Sequence, residues 1–184
     1  MGSDVYAAAC RARGDDVVAM FSLETLGFFS DAPGSQQYPF PFSLVYPSTG
    51  AFVGFVGDLP SQRLVHESVR LFRTRATVAS EGASVPGSIE GIDWSDHASF
   101  WRHGYRAVMV TDTAPFRNPH YHEPTDLPPT LDVDRLDRVA DAVSIARRAR
   151  GIAVQSIVAG MAMSGIAMGA AAMAFTIWTR HLRH

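Results

Sequence analysis

The chain has 184 residues, of which 47% are hydrophobic and 18% charged, which suits one globular domain with a tail and excludes a disordered chain. Its formal net charge of −2 gives no electrostatic case for nucleic acid, although all sixteen basic residues are arginine. The single cysteine, Cys10, excludes an internal disulfide and a cysteine-built zinc site, so any metal must be held by His, Asp and Glu. Met1-Gly2-Ser3-Asp4 has neither a basic n-region nor an apolar run behind it, so no signal peptide is expected at this start.

Val5 to Arg13 reads as a short helix broken at Gly14-Asp15, and Val17 to Leu23 as a strand ending on Glu24. Residues 30–48 form a long loop rich in Pro, Gly, Ser and aromatics, of the kind that is more often functional than decorative. Phe52 to Val56 is a strand candidate closed by Gly57-Asp58. Ser61 to Thr74 places Leu64, Val65, Val69 and Phe72 at helical spacing. Glu81 to Gly91 reads as a loop, Ala98 to His103 as a short helix, Ala107 to Thr111 as a strand and Leu131 to Arg150 as a long amphipathic helix. Strands alternating with helices predict an α/β fold with a mixed, largely parallel sheet.

From Ile152 to Trp178 the chain carries no charge over 27 residues, long enough to cross a bilayer. Trp178 and the following Arg180 and Arg183 read as an interfacial flank, and Gly165 and Gly169 form a GxxxG pair that could bring two helices together as a homodimer. The expected organisation is therefore residues 1–150 as a catalytic-type unit and 151–184 as a hydrophobic, transmembrane helix with a basic tail, placing the protein at a membrane.

Three segments carry possible chemistry. Glu24 and His122 each follow a predicted strand, where ligands in open α/β sheets gather. A histidine with carboxylates is a zinc-type donor set. His120 is a rival to His122 within the same turn, and Asp126 could brace His122 from behind. Asp96 and His97 open a short helix, where Asp96 or Ser95 could serve only as a cap; the alternative is a carboxylate lining the cleft to hold a substrate amine or a ligand. No phosphate-binding glycine loop or GxSxG elbow is present in the sequence.

Residues 1 to about 149 resemble the C-terminal half of the di-zinc aminopeptidases, the family that includes the glutaminyl cyclases. The resemblance lies in Met1-Gly2-Ser3 with Val5-Tyr6-Ala7, in Ser22-Leu23-Glu24-Thr25-Leu26-Gly27, in Trp94-Ser95-Asp96-His97-Ala98-Ser99-Phe100-Trp101, in Val108-Met109-Val110-Thr111-Asp112-Thr113, and in Phe116-Arg117-Asn118-Pro119-His120-Tyr121-His122 through Asp126. It implies a partial three-layer sandwich. It also implies two zinc ions, with Glu24 and His122 as metal ligands, Asp96 handling protons or sitting behind the ligands, and Asp126 supporting them. The implied reaction is hydrolysis of an N-terminal peptide bond, and the implied partner is a peptide. The family's His-x-Asp motif and Glu-Glu pair, which supply the bridging ligand, a further ligand and the general base, fall upstream of the segment matching Met1. The expectation is therefore a zinc-dependent exopeptidase that is truncated as given. The rival expectation is an inactive, membrane-tethered remnant or interaction module.

Overall fold

In the computed structural model, described for residues 2–148, 154–157 and 174–179, the chain forms a mixed sheet with helices on both faces. In chain order the main elements are α1 (Gly2–Arg13), β1 (Val17–Glu24), β2 (Phe52–Gly57), α2 (Gln62–Arg73), β3 (Ala79–Ser84), α3 (His97–Arg102), β4 (Ala107–Thr111), α4 (Val133–Arg148), β5 (Val154–Ile157) and β6 (Ala174–Thr179). The strand order is β3-β2-β4-β1-β6-β5. β1 with β4 and β2 with β3 run parallel, whereas β2–β4, β1–β6 and β5–β6 are antiparallel.

The helix expected over residues 152–178 falls in large part outside the described residues, as do Gly165 and Gly169. At Val154–Ile157 and Ala174–Thr179 the backbone is extended, contrary to that expectation. β6 pairs along β1 from Leu23↔Ala174 to Val17↔Thr179, giving that edge of β1 the backbone partners it otherwise lacks. Its Phe175, Thr176, Ile177 and Trp178 are β-branched or aromatic, as strands favour. Among the described residues no helix is long and apolar enough to cross a membrane.

β3 is the second departure, since the sequence predicts loop throughout Glu81 to Gly91. Ala79-Ser80-Glu81-Gly82-Ala83-Ser84 has no large apolar residue, yet pairs in register with all six residues of β2. Its small side chains and glycine let it lie close under α2: a Cβ on Gly82 would stand 3.0 Å from Val69 Cγ2. Helix α4 begins two residues later than expected, because Asp132 Oδ1 accepts from Arg135 N at 2.9 Å and so caps it.

The two faces of the sheet are packed differently. On one face, α2 sets Val65, Val69 and Phe72 against Phe21, Val53, Phe55 and Val110, with Val139 of α4 behind them. The Phe55 and Phe72 rings meet edge to face at 5.3 Å. On the other face, a smaller cluster joins Ala7 and Cys10 of α1 and Phe100 of α3 to Met20 and Ala107. This second layer covers only the lower part of the sheet, and the upper part of the same face is left open.

Candidate functional site

Register determines what the open face presents. Glu24 of β1 lies beside Thr111 of β4, Thr111 beside Gly54 of β2, and Gly54 beside Glu81 of β3. These four side-chain positions form one row across the sheet, because residues paired in register point the same way. A cavity of ≈ 290 Å³ sits over this row, walled by Tyr38, Phe42, Tyr46, Phe52, Trp94 and Tyr121. Glu24 and His122 also line it. The long loop of residues 30–48 therefore supplies part of the wall.

Glu24 ends β1 where the parallel pairing with β4 finishes, and its Oε2 is buried without a hydrogen-bond partner. Burial pushes its carboxyl above the ordinary value, and the nearby Asp96 charge pushes the same way. A hydrogen bond from Ser95 and the proximity of His122 oppose that. Glu24, Asp96 and His122 thus share one electrostatic neighbourhood, although they are contributed by segments about 25 to 100 residues apart. Ser95 is held under the strand by Ser22, with the two hydroxyls 2.6 Å apart.

Backbone strain is concentrated here. Thr25, Thr113 and His122 are the non-glycine residues in the left-handed region among the described residues, at φ 46, 62 and 62, and all three line the cavity. Non-glycine residues adopt that conformation at a cost of about 1 kcal/mol or more, so neighbouring contacts must hold them. Thr25 O accepts from Asp112 N at 2.8 Å, and Thr113 N donates to Thr111 Oγ1 at 2.8 Å. His122 is exposed, with its ring 4.1 Å from that of Tyr121.

The remaining expected residues fall unevenly. Asp96 occupies the N-cap position of α3 without a side-chain capping bond; it does not line the cavity, as the cleft reading expects, although its charge is felt at Glu24. Asp126 makes no side-chain hydrogen bond to His122; its backbone N–H donates to Glu123 O at 3.0 Å, closing the turn instead. His120, the rival, is drawn off by Thr125, whose Oγ1 lies 3.0 Å from Nδ1. His97 is buried, with Nε2 2.6 Å from Ile92 O and its ring edge-on to Trp101, and burial pulls its pKa down to about 4. It therefore donates to Ile92 as a neutral ring and fixes the loop that carries Trp94 to the cavity.

Two residues beside the site are not singled out by the sequence patterns above. Asp112 is buried directly after β4 and accepts from Phe28 N at 2.8 Å; burial pushes its pKa up to about 7. Arg117, also buried, donates to Gln36 Oε1 at 2.8 Å and to Phe52 O at 2.9 Å and lies 4.5 Å over the Phe52 ring. Burial draws its pKa down to about 10, against the pull of Asp112. The signal that could find them is an acid immediately after a wholly buried strand, with an arginine five residues on.

Among the described residues no group of three or more His, Cys, Asp or Glu side chains is placed to hold a metal ion. Glu24, with its orphaned oxygen, and His122 are suitable donors, but a catalytic zinc takes three protein ligands. The residues present do not by themselves make a metal site.

No family model matches the chain. It is 38% identical over 144 residues to the "Uncharacterized protein YfbL" of Escherichia coli (strain K12), an alignment covering 78% of this chain and 44% of that protein. The chain thus spans less than half the length of the curated relative it matches.

Proposed function

We propose that this chain forms part of the catalytic domain of a zinc-dependent exopeptidase of the di-zinc aminopeptidase type, acting on peptide N-termini. In this reading the sheet with helices on both faces is a partial three-layer sandwich. Glu24 and His122 contribute ligands to zinc, with the remaining ligands and the general base supplied from outside the described residues. The observation that carries the reading is that Glu24 and His122 line one cavity at the strand-end side, with the Asp96 charge near Glu24 and an unpartnered buried oxygen on Glu24. Carboxylates and imidazole are the donors zinc takes, and zinc would polarise a peptide carbonyl there. Asp96, beside Glu24 and free of capping duty, is the group to hold the substrate's amine or a proton.

The test has two arms. The native protein in full should release chromophore from aminoacyl-nitroanilides, lose this with a chelator and regain it with zinc. The chain itself, titrated with zinc, should bind it more weakly than a complete site, and Glu24→Gln and His122→Asn should each remove that binding. Activity that survives complete metal removal sinks the exopeptidase reading. Zinc binding indifferent to both substitutions sinks the ligand assignment and leaves the rival, an inactive interaction module. Membrane attachment through the uncharged run 152–178, with Gly165 and Gly169 pairing two copies, is a separate proposal. Flotation with lipid vesicles checks it, and a chain ending at residue 150 should stay at the bottom of the gradient.

A further inference from the structure

The row across the open face has an acid at each end. Glu24 stands on β1 and Glu81 on β3, with Thr111 and Gly54 between them. Three strand spacings separate the two, about 14 Å. Between them the floor is low, because Gly54 has no side chain and a Cβ built there touches nothing closer than Thr111 O at 3.5 Å.

Glu81 faces the cavity on two grounds. Its neighbour Gly82 points the other way, toward Val69 and Val65 of α2, and successive strand residues alternate. Its charge is also felt by the Tyr38 and Tyr46 phenols, both of which line the cavity, and the Tyr46 hydroxyl donates to the adjoining Gly82 O at 2.9 Å. Among the described residues the cation that approaches it is Arg73, at 3.7 Å. That pair is loose and half in solvent, with 56% and 32% of the side chains exposed, and Arg73 directs its hydrogen bonds at Ser80. Such pairs contribute little, so a ligand cation competes with Arg73 on easy terms.

We infer that Glu81 is a specificity-determining residue and that the cavity selects a substrate whose side chain next to the scissile bond is cationic, arginine or lysine. This rests on the exopeptidase reading, which puts the reacting carbonyl at the Glu24 end. An extended arginine side chain carries its guanidinium about 6 Å from its own Cα. With the carbonyl at one end and a charge-assisted hydrogen bond of about 2.8 Å at the other, it fills most of the row. The walls suit such a stem: Tyr38, Phe42 and Tyr46 supply aromatic rings for a planar cation, and with Phe52 they supply apolar surface for its methylenes. Among the described residues no arginine is in the cavity lining; Arg73 and Arg117 lie behind it, at Glu81 and at the Phe52 ring, and are the cations a ligand must compete with.

Amides of arginine, lysine, leucine and phenylalanine, titrated into the chain by calorimetry, test this. Arginine amide should bind roughly tenfold or more tighter than leucine amide, the worth of one charged hydrogen bond. Glu81→Gln should erase the preference while leaving leucine amide binding in place. Arg73→Gln should strengthen the preference by freeing Glu81, whereas a merely structural role for the pair would weaken all binding alike. Leucine amide binding as tightly as arginine amide, or no amide binding at all, overturns the inference. The zinc titrations with Glu24→Gln and His122→Asn report separately on the exopeptidase reading.

Discussion

Substituting Asp112 by asparagine should change how stability depends on pH, by an amount that follows from burial. The folded carboxyl keeps its proton up to about pH 7, whereas an unfolded aspartate releases it near 3.8. Between those values the folded chain holds one more proton than the unfolded chain. This group's contribution is therefore fullest below pH 3.8, declines as pH rises through the window and levels off above about 7. The shift corresponds to a loss of about 2–4 kcal/mol across the window. An asparagine side chain at this position carries no charge at any pH and could still accept from Phe28 N–H, as Asp112 Oδ2 does at 2.8 Å. The variant should thus gain on the parent by about 2–4 kcal/mol between about pH 4 and pH 8. Urea unfolding followed by circular dichroism at unit pH steps measures this, with a constant m-value checking that both chains unfold alike. Comparing the two proteins cancels the exposed carboxylates, including Asp4 and Asp15, whose arginine partners pull their pKa values the other way. A difference that is flat within about 0.5 kcal/mol, or one that falls with pH, would show that Asp112 is ionised and well solvated or paired, and would refute the reasoning.

Three further outcomes are expected. His122→Ala and His122→Gly should both lose zinc, but the glycine variant should be the more stable by about 1 kcal/mol, because only it adopts φ 62 without strain; equal midpoints in denaturant would contradict this. Gly57→Ala should cost about 1–3 kcal/mol, since the new Cβ would stand 2.6 Å from Val65 Cγ2, and a thermal melt unchanged from the parent would refute that. Phe72→Ala, at a residue 1% exposed and stacked edge-on to Phe55, should cost about 3–5 kcal/mol in the same assay without altering amide binding on the opposite face.

Much of the scaffold can be read in the chain because its signals are local. β1, β2 and β4 are apolar runs of strand length, and α2 shows its buried stripe outright. β3 cannot be read, because Ala79-Ser80-Glu81-Gly82-Ala83-Ser84 owes its extended form to a partner strand and to the close approach of α2. The uncharged C-terminal run speaks for a helix by length alone; the pairing of Ala174–Thr179 with β1 depends on an edge that no local pattern announces. Glu24 stands out as an acid closing an apolar strand, and His122 as a histidine in the turn-rich loop that follows β4. The row from Glu24 to Glu81 is invisible in the sequence, since it exists only once four strands are in register. Asp96 is ambiguous in sequence because capping and cleft-lining use the same residue types; in the structure its side chain makes no capping bond and does not line the cavity, and only its charge reaches Glu24.

Arg117 has a consequence for how this protein responds to force and to proteases. Its guanidinium reaches Gln36, Phe28 O and Phe52 O, groups 65 to 89 positions back along the chain. The segment between β1 and β2 is thereby bonded near its start, middle and end to a single planar group contributed by the loop after β4. Loss of that group removes three anchors of the segment together and leaves it tied by Phe28 N on Asp112, Gln37 N on Phe116 O and the Tyr46 hydroxyl on Gly82 O, while the strands and α2 keep their own bonds. Amide hydrogens over residues 28–50 should then exchange as a unit, far ahead of those in β1 and β4, and a first proteolytic cut should fall within that stretch.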